Sequence, residues 1–374
     1  MIWLVTAALL VYLILLGWFS LGLVRLRRQK SVHHDQSPAI TVIIPVRNEE
    51  KSIRSCLESI WSGSNPAFIR QIVVVDDESN DETVRIVTDL KTTIPVLICV
   101  PCSQFPQFNT IRSPKKRAVR IGLEVALTDW IALTDGDTRV PANWLEHMCS
   151  KLNPETRLVG GPVEFNQPDQ WFFKWLHAEF AGLMLVAAGS IGFNRPTLIN
   201  GANMLLSRKG FFESGGYGSD QAVISGDDEM LMHRLHRNQP GSVAYCLSRE
   251  AVVTTDPPGS TGEWIHQRLR WASKSTDYTS LPYRLFLASF WFIHAIFLTG
   301  FIWSLVTLNG WLFLLLQIKT LADLGFLLTA NRLFLSKPIH WTTPIWSEWL
   351  QTTYMVLTGL AGLRKRFSWK GRNW

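Results

Sequence analysis

From residue 40 the chain alternates short apolar runs with amphipathic helices, and each run stops on polar residues. Residues 40–45 (ITVIIP), 71–75 (QIVVV), 96–100 (VLICV) and 130–134 (WIALT) read as buried strands. Between them, 49–61, 81–90 and 116–127 carry apolar side chains at helical spacing, as with Ile53, Leu57, Ile60 and Trp61. Such alternation implies a mostly parallel sheet with helices on both faces. In open α/β sheets ligands bind where the strands end. The polar residues that terminate the four runs are therefore the first candidates for chemistry.

The ends of the chain obey a different constraint. Residues 2–24 are apolar and uncharged, long enough to span about 30 Å of hydrocarbon. Basic residues follow this segment and none precede it, which predicts an N-terminus outside and residue 25 onward in the cytoplasm. A cleaved signal peptide needs a basic start and a small-residue cleavage site, and neither is present. Residues 285–305 and 310–330 are two further spans with a very short connection. Lys319 and Asp323 lie inside the second at i, i+4, where they can pair on one helix face. The segment 344–363 contains Glu348 and precedes a basic tail, so an interfacial or re-entrant segment is expected there. Residues 171–193 are apolar, yet Lys174, His177 and Glu179 lie in the first turns, and the expectation is an amphipathic helix against the membrane or the fold.

Lys and Arg outnumber Asp and Glu by 37 to 30, for a net charge of +7, and much of the excess sits at 25–30, 113–120 and 364–372. Clusters beside apolar segments suit anionic lipid headgroups and give no reason to expect nucleic acid. The 17 Trp fit membrane-interface belts. The five Cys show no framework spacing, and Cys99 and Cys102 read as incidental reduced thiols of a cytosolic domain.

The fourth run ends in Asp135-Gly136-Asp137. Gly lets the chain turn so that both carboxylates can face one cation, and hard oxygen ligands suit Mg²⁺ or Mn²⁺. A polar turn closing a strand is the simpler alternative. The first run ends in Pro45, Arg47, Asn48 and Glu49, and the second in a row of acids from Asp76 to Glu82. Carboxylates there can accept from a nucleobase N–H and from ribose hydroxyls; capping of the following helix accounts for one or two of them. Lys115 and Lys116 open the next helix and can bind a diphosphate or form a solvated basic face. Asp227 and Asp228 form a second acidic cluster, able to supply a base or to cap the helix at 229–237. Gln267, Arg270 and Trp271 fall at i, i+3 and i+4 on one face of a helix. Arg270 can fork onto phosphate oxygens, and Trp271 offers a flat face to a sugar or lipid head; an interfacial anchor helix would use the same residues.

In this order the motifs resemble the family 2 glycosyltransferases of GT-A fold, in their membrane-anchored form. The resemblance runs from residue 40 to about 274, through TVIIPVRNEE, VVVDDESNDET, the Lys-Lys helix start, WIALTDGDTRVPANWL, the G-A-N-M segment, SGDDEML and QRLRW, and the W-K-G-R tail adds to it. One departure is that the usual Glu-Asp pair is Asp227-Asp228. The fold this implies is α/β, a GT-A (Rossmann-like) nucleotide-sugar-binding domain with flanking transmembrane α-helices. The implied donor is a nucleotide-diphosphate sugar, a UDP-sugar in first place, and the implied reaction is an inverting single displacement with Mg²⁺ or Mn²⁺. By position, Pro45, Asn48, Glu49, Asp76, Asp77, Lys116 and Asp135 would bind the donor, with Asp77 and Glu49 on the nucleoside. Asp135 and Asp137 would hold the metal, Asp228 with Asp227 beside it would act as base, and Gln267, Arg270 and Trp271 would bind diphosphate and acceptor.

The expected organisation is an anchor at 1–24, a basic linker at 25–38, and a cytoplasmic catalytic domain at 39–283 that includes an interfacial helix at 262–275. A C-terminal membrane region follows at 284–374. The expected activity is transfer of a sugar to a membrane lipid at the cytoplasmic face of the cell membrane by a multi-pass protein. A processive polysaccharide synthase is the alternative enzyme, disfavoured by three spans. A non-catalytic nucleotide-sugar-binding protein is the alternative of another class, disfavoured because every expected carboxylate is present.

Overall fold

The computed structural model describes residues 1–29, 38–65, 67–166, 170–218, 221 and 223–365, and the backbone of 368–369 and 372–373. Most of the expected basic linker, and part of the basic tail, lie outside the described residues. The chain forms two compact units, Arg25–Asn166 with Ser190–Asp256, and Met1–Val24 with Gln167–Gly189 and Pro257–Trp374.

The first unit is built on the predicted alternation. Strands β1 (Ile40–Val46), β2 (Ile69–Asp76), β3 (Leu97–Pro101) and β4 (Trp130–Leu133) are separated by helices α2 (Ile53–Gly63), α3 (Thr83–Leu90) and α4 (Pro114–Val125). After the short β5 (Thr138–Arg139) and α5 (Trp144–Cys149) come β6 (Leu158–Gly160), β7 (Val163–Phe165), β8 (Met204–Ser207), α7 (Arg208–Glu213), α8 (Glu229–Asn238), β9 (Val243–Tyr245) and β10 (Val253–Thr255). The main sheet has the order β3-β2-β1-β4-β8-β6-β9, and β8 alone runs against its neighbours. A small sheet, β5-β10-β7, stands beside it.

Register brings the functional loops together. Val46 pairs with Asp76, so the turns after β1 and β2 lie side by side. Leu133 pairs with Met204, which sets the turn at 201–203 beside the Asp135-Gly136-Asp137 turn. Within the G-A-N-M segment, 201–203 is a turn and the strand begins at Met204. The reason is Asn203, buried and fully bonded. Its Oδ1 accepts from Trp144 Nε1 at 2.9 Å, and its Nδ2 donates to the carbonyls of Pro162 (2.8 Å) and Ala251 (2.7 Å).

In the second unit α1 (Ile2–Arg27), α6 (Trp171–Gly192), α10 (Leu281–Val306) and α11 (Gly310–Leu333) are long and apolar enough to cross a membrane, with mean hydropathies of 2.4, 1.2, 2.0 and 1.6. The others are α9 (Thr261–Ser273) and α12 (Thr342–Gly362), and the chain ends in a ribbon of β11 (Ser368–Trp369) and β12 (Arg372–Asn373). The amphipathic reading of residues 171–193 is corrected here. Within α6, 83% of the apolar window is buried, and two of the three polar side chains that suggested a wet face, His177 and Glu179, bond inside the protein while Lys174 is half-buried. His177 bonds the carbonyl of Lys337 at 2.9 Å, and Glu179 pairs with Arg268. The expected Lys319–Asp323 pair is present at 2.8 Å, and Glu348 joins it as a second partner of Lys319. Tyr12 reaches Asp323 from α1 at 2.6 Å, and Thr352 reaches Glu348 at 3.1 Å. Glu179, Lys319, Asp323 and Glu348 thus each have the partner that burial among apolar side chains demands.

Asn203→Ala removes the side-chain partner of Trp144 Nε1 and of the Ala251 carbonyl, while the Pro162 carbonyl keeps its bond from Val253 N. It should destabilise the protein by about 2–4 kcal/mol, read as a fall in the unfolding midpoint; an unchanged midpoint would mean that this junction does not hold the 201–203 turn.

Candidate active site

The site is built at the carboxyl ends of β1, β2 and β4. Asn48 takes a left-handed conformation (φ 54°), which Asn tolerates better than most residues, and turns the chain sharply after β1. The turn is stitched to the one after β2. Asn48 N donates to Ser79 Oγ (3.0 Å), Asn48 Oδ1 accepts from Asn80 N (2.9 Å), and Glu49 N donates to Thr83 Oγ1 (2.7 Å). Asp76 spends its carboxylate on Ser79 N, at 3.2 and 3.4 Å from its two oxygens. Asn48 and Asp76 therefore shape the loops. Asp77 is different: it is buried, bonded by Arg117 and flanked by Arg47 Nη1 at 3.7 Å.

The Asp135-Gly136-Asp137 turn folds back on the end of β1. A Cβ at Gly136 would stand 3.0 Å from Val46 Cγ1 and 3.1 Å from Glu49 Cγ, so glycine is what admits Glu49 to the turn. Cys56 supports the turn from below, donating to the Asp135 carbonyl at 3.5 Å; burial pushes its thiol up to about 12, and it stays neutral.

Helix α4 begins with Ser113 capping Lys116 N and Pro114 in the first turn. The two lysines that follow separate completely. Lys116 is fully buried; its Nζ donates to the Val223 carbonyl at 2.8 Å and lies 5.8 Å from the Tyr217 ring. Lys115 instead points into the site, 2.6 Å from Asp135 Oδ1 and 3.8 Å from Asp227 Oδ2. The sequence pair offered no means of choosing between them, since the side that is buried depends on a segment about a hundred residues away. Burial opposes the charge on Lys115, but Asp135, Asp227 and Asp228 outweigh it and hold its pKa above the ordinary lysine value. A small cavity here is lined by Pro45, Lys115, Thr134, Gly201, Tyr217 and Asp227. Tyr217 carried no signal in the sequence, and Gly201 appeared only as the first residue of the G-A-N-M segment, with no role.

The second acidic cluster divides its labour between its two members. Asp228, not Asp227, caps α8, accepting from Glu229 N at 2.8 Å, while its other oxygen accepts from Gly201 N at 2.8 Å. A capping residue must sit one step before the helix, and α8 starts at Glu229. A Cβ on Gly201 would lie 3.2 Å from Asp228 Oδ2 and 3.4 Å from Lys115 Nζ, so the glycine makes room for both. Burial raises the pKa of Asp227, with Asp228 adding to the rise and Lys115 opposing it.

Among the described residues no three carboxylate, imidazole or thiol groups gather to hold a cation unaided. Two carboxylates at 135 and 137 suit a small divalent ion that takes its remaining ligands from phosphates and water. Gln267, Arg270 and Trp271 lie half-buried on α9, within the unit that contains the apolar helices.

A family model described as glycosyl transferase family 2 matches residues 41–214, and one described as glycosyl transferase family group 2 matches residues 130–360. The chain is 32% identical over 134 residues to the glycosyltransferase AglE of Haloferax volcanii, covering 35% of this chain and 41% of that protein. It is 24% identical over 249 residues to the beta-monoglucosyldiacylglycerol synthase of a Synechocystis strain, covering 63% of this chain and 47% of that one. The matched region spans less than half the length of either relative. Among solved structures, a mannosyltransferase from Pyrobaculum calidifontis in complex with GDP-Man and Mn²⁺ superposes with a TM-score of 0.59 at 17% identity, over 97% of this chain and 98% of that one. This likeness shows the fold, the α/β GT-A architecture.

A carboxyl whose folded pKa is raised costs stability above that pKa and none below its unfolded value. Asp227→Asn should therefore unfold at a higher temperature than the wild type at neutral and alkaline pH. The difference should shrink as the pH falls through the raised pKa of Asp227 and vanish below the ordinary aspartate range. Thermal unfolding in detergent across pH reads this; a difference that grows toward acid would contradict the burial argument.

Proposed function

The chain belongs to glycosyl transferase family 2, and from that membership we propose that it moves a sugar from a nucleotide-diphosphate sugar, a UDP-sugar in first place, to a membrane lipid, with inversion at the anomeric carbon. The observation that carries this reading is the position of Lys115, whose ammonium touches the Asp135 carboxylate and lies 3.8 Å from Asp227. It joins an acidic turn suited to the donor with an acidic pair suited to deprotonating an acceptor.

Asp77 and Glu49 meet the nucleoside. Asp135 and Asp137 would hold a divalent cation, which when bound neutralises charge on the diphosphate. Lys115 lies beside Asp135 and meets the same charge, and Arg270 is read as diphosphate-binding because its guanidinium can fork onto phosphate oxygens. Asp228 takes the proton of the acceptor hydroxyl as its oxygen forms the new bond to the anomeric carbon. The bond to the diphosphate breaks, and its electron pair leaves with the phosphate oxygen. Two backbone N–H groups, from Gly201 and Glu229, fix the direction in which Asp228 offers its remaining lone pairs. Asp227, beside Lys115, keeps the local charge balanced.

The lipid acceptor is supported by the four apolar helices and by the likeness to a protein named for diacylglycerol glucosylation. The excess of basic residues after the first apolar segment supports a multi-pass protein of the cell membrane with its catalytic unit in the cytoplasm.

Membranes containing the protein, given radiolabelled UDP-sugars, should yield a lipid extractable into organic solvent that bears one sugar. A long water-soluble polymer would overturn the lipid reading in favour of a synthase. Asp228→Asn should lower transfer by about 10²–10⁴-fold, because an amide cannot take the proton. An amide can accept only one of the two N–H bonds that Asp228 holds, so this variant also loses some stability, and transfer is compared per folded molecule. Near-normal transfer by Asp228→Asn with loss in Asp227→Asn would reverse the assignment of the base.

A further inference from the structure

The motif at 267–271 contains a second arginine, Arg268, which the proposed function leaves without a task. Unlike Gln267, Arg270 and Trp271, it is buried, and its contacts explain why. Its Nε donates to Glu179 Oε1 at 2.9 Å and its Nη2 to Glu179 Oε2, a two-pronged pair between α9 and α6. Only 2% of either side chain reaches solvent. Tyr354 of α12 donates to Glu179 Oε1 as well, so three helices meet on one carboxylate. Aromatic rings close the cluster: Trp264 lies 5.1 Å from Trp175 and 5.2 Å from Tyr354, centroid to centroid.

The remaining surface of the guanidinium is turned to its own motif. Nη1 donates to Gln267 Oε1, and the face of the group covers the Trp271 ring, with Cζ 4.2 Å from the ring centroid. Trp271 also stacks on Phe180 of α6, at 6.3 Å and 23°. One edge of Arg268 is thus fixed by Glu179, the opposite edge holds Gln267, and the plane holds Trp271. Lysine could not do this: an ammonium has neither a planar face nor a fork.

We propose that Arg268, clamped by Glu179 and Tyr354, is a positioning residue that sets the attitude of Gln267 and Trp271 for transfer. This rests on the reading of those two residues as diphosphate- and acceptor-binding. Arg268 is buried by its own cluster and acts through its neighbours. A buried ion pair replaced by apolar side chains of similar volume commonly costs no stability, so fold and positioning can be separated.

The test compares the double variant Glu179→Leu/Arg268→Met, and separately Arg268→Lys and Tyr354→Phe, with Gln267→Ala and Trp271→Ala, all as full-length protein in detergent. The double variant should unfold within a few degrees of the wild type, yet its kcat should fall by about 10–100-fold, the scale on which small misplacements act. Its donor KM should change by less than about threefold, because Arg270 and the metal carboxylates still bind the donor. Arg268→Lys keeps the charge opposite Glu179, covers the case in which the double variant fails to fold, and should lose kcat in the same sense. Tyr354→Phe should lose less, since the fork remains. Wild-type kcat in Arg268→Lys, or in a folded double variant, while Gln267→Ala and Trp271→Ala are impaired, would overturn the positioning role alone. Full activity of Gln267→Ala and Trp271→Ala would overturn the ligand-binding reading of α9 and this inference with it.

Discussion

Three carboxylates, Asp135, Asp227 and Asp228, converge around one ammonium, that of Lys115, in a partly desolvated site. Like charges gathered at low dielectric repel strongly, and without an enclosed cation the cluster would open or protonate. Much of the surrounding architecture serves to set that cation. Ser113 and Pro114 start α4 at the register that divides the two lysines. Lys116, turned inward, ties α4 to the Val223 carbonyl just before the second acidic pair. Gly201 leaves space where a side chain would press on both Lys115 and Asp228. The raised pKa of Asp227 is the residue of this compromise, a strain of the kind that clusters where chemistry is done.

The unit of apolar helices solves a related problem among apolar side chains. Lys319 is compensated by two carboxylates from two helices, and Tyr12 from a third completes the shell of Asp323. Arg268 and Glu179 compensate each other with Tyr354 added. Buried ion pairs of this sort contribute little net stability but penalise any arrangement in which a partner is missing. They therefore specify how α1, α11 and α12 meet and how α9 lies against α6. Backbone contact supplements them, since a Cβ at Gly22 would fall 1.9 Å from the Gly189 carbonyl oxygen. The apolar helices read as a packed assembly that holds the Gln267–Trp271 motif, more than as simple anchors.

Strands, helices and the acids at strand ends were legible because period and punctuation are local properties. The four parallel strands and the two long apolar helices at the C-terminal side followed from apolar runs alone. The α/β GT-A fold and the family followed from the ordered motifs. What failed to show was set by partners distant in sequence. Nothing local separates Lys115 from Lys116, or tells which of Asp227 and Asp228 precedes the first helical residue. Residues 171–193 looked amphipathic because Lys174, His177 and Glu179 are polar; the partners that let the last two stay inside, Lys337 and Arg268, lie far along the chain. The turn at 201–203 took its shape from Pro162 and Ala251 through Asn203, contacts that no window around Asn203 contains.

The claim that the acidic turn and the acidic pair work as one site through Lys115 is tested most directly by a double-mutant cycle on sugar transfer to lipid, with Lys115→Met, Asp227→Asn and the two combined. If Lys115 joins the clusters, the substitutions are strongly non-additive, and the combined variant transfers at about the rate of the poorer single one. If the two losses simply multiply, the clusters act independently and Lys115 does not couple the donor turn to the acidic pair.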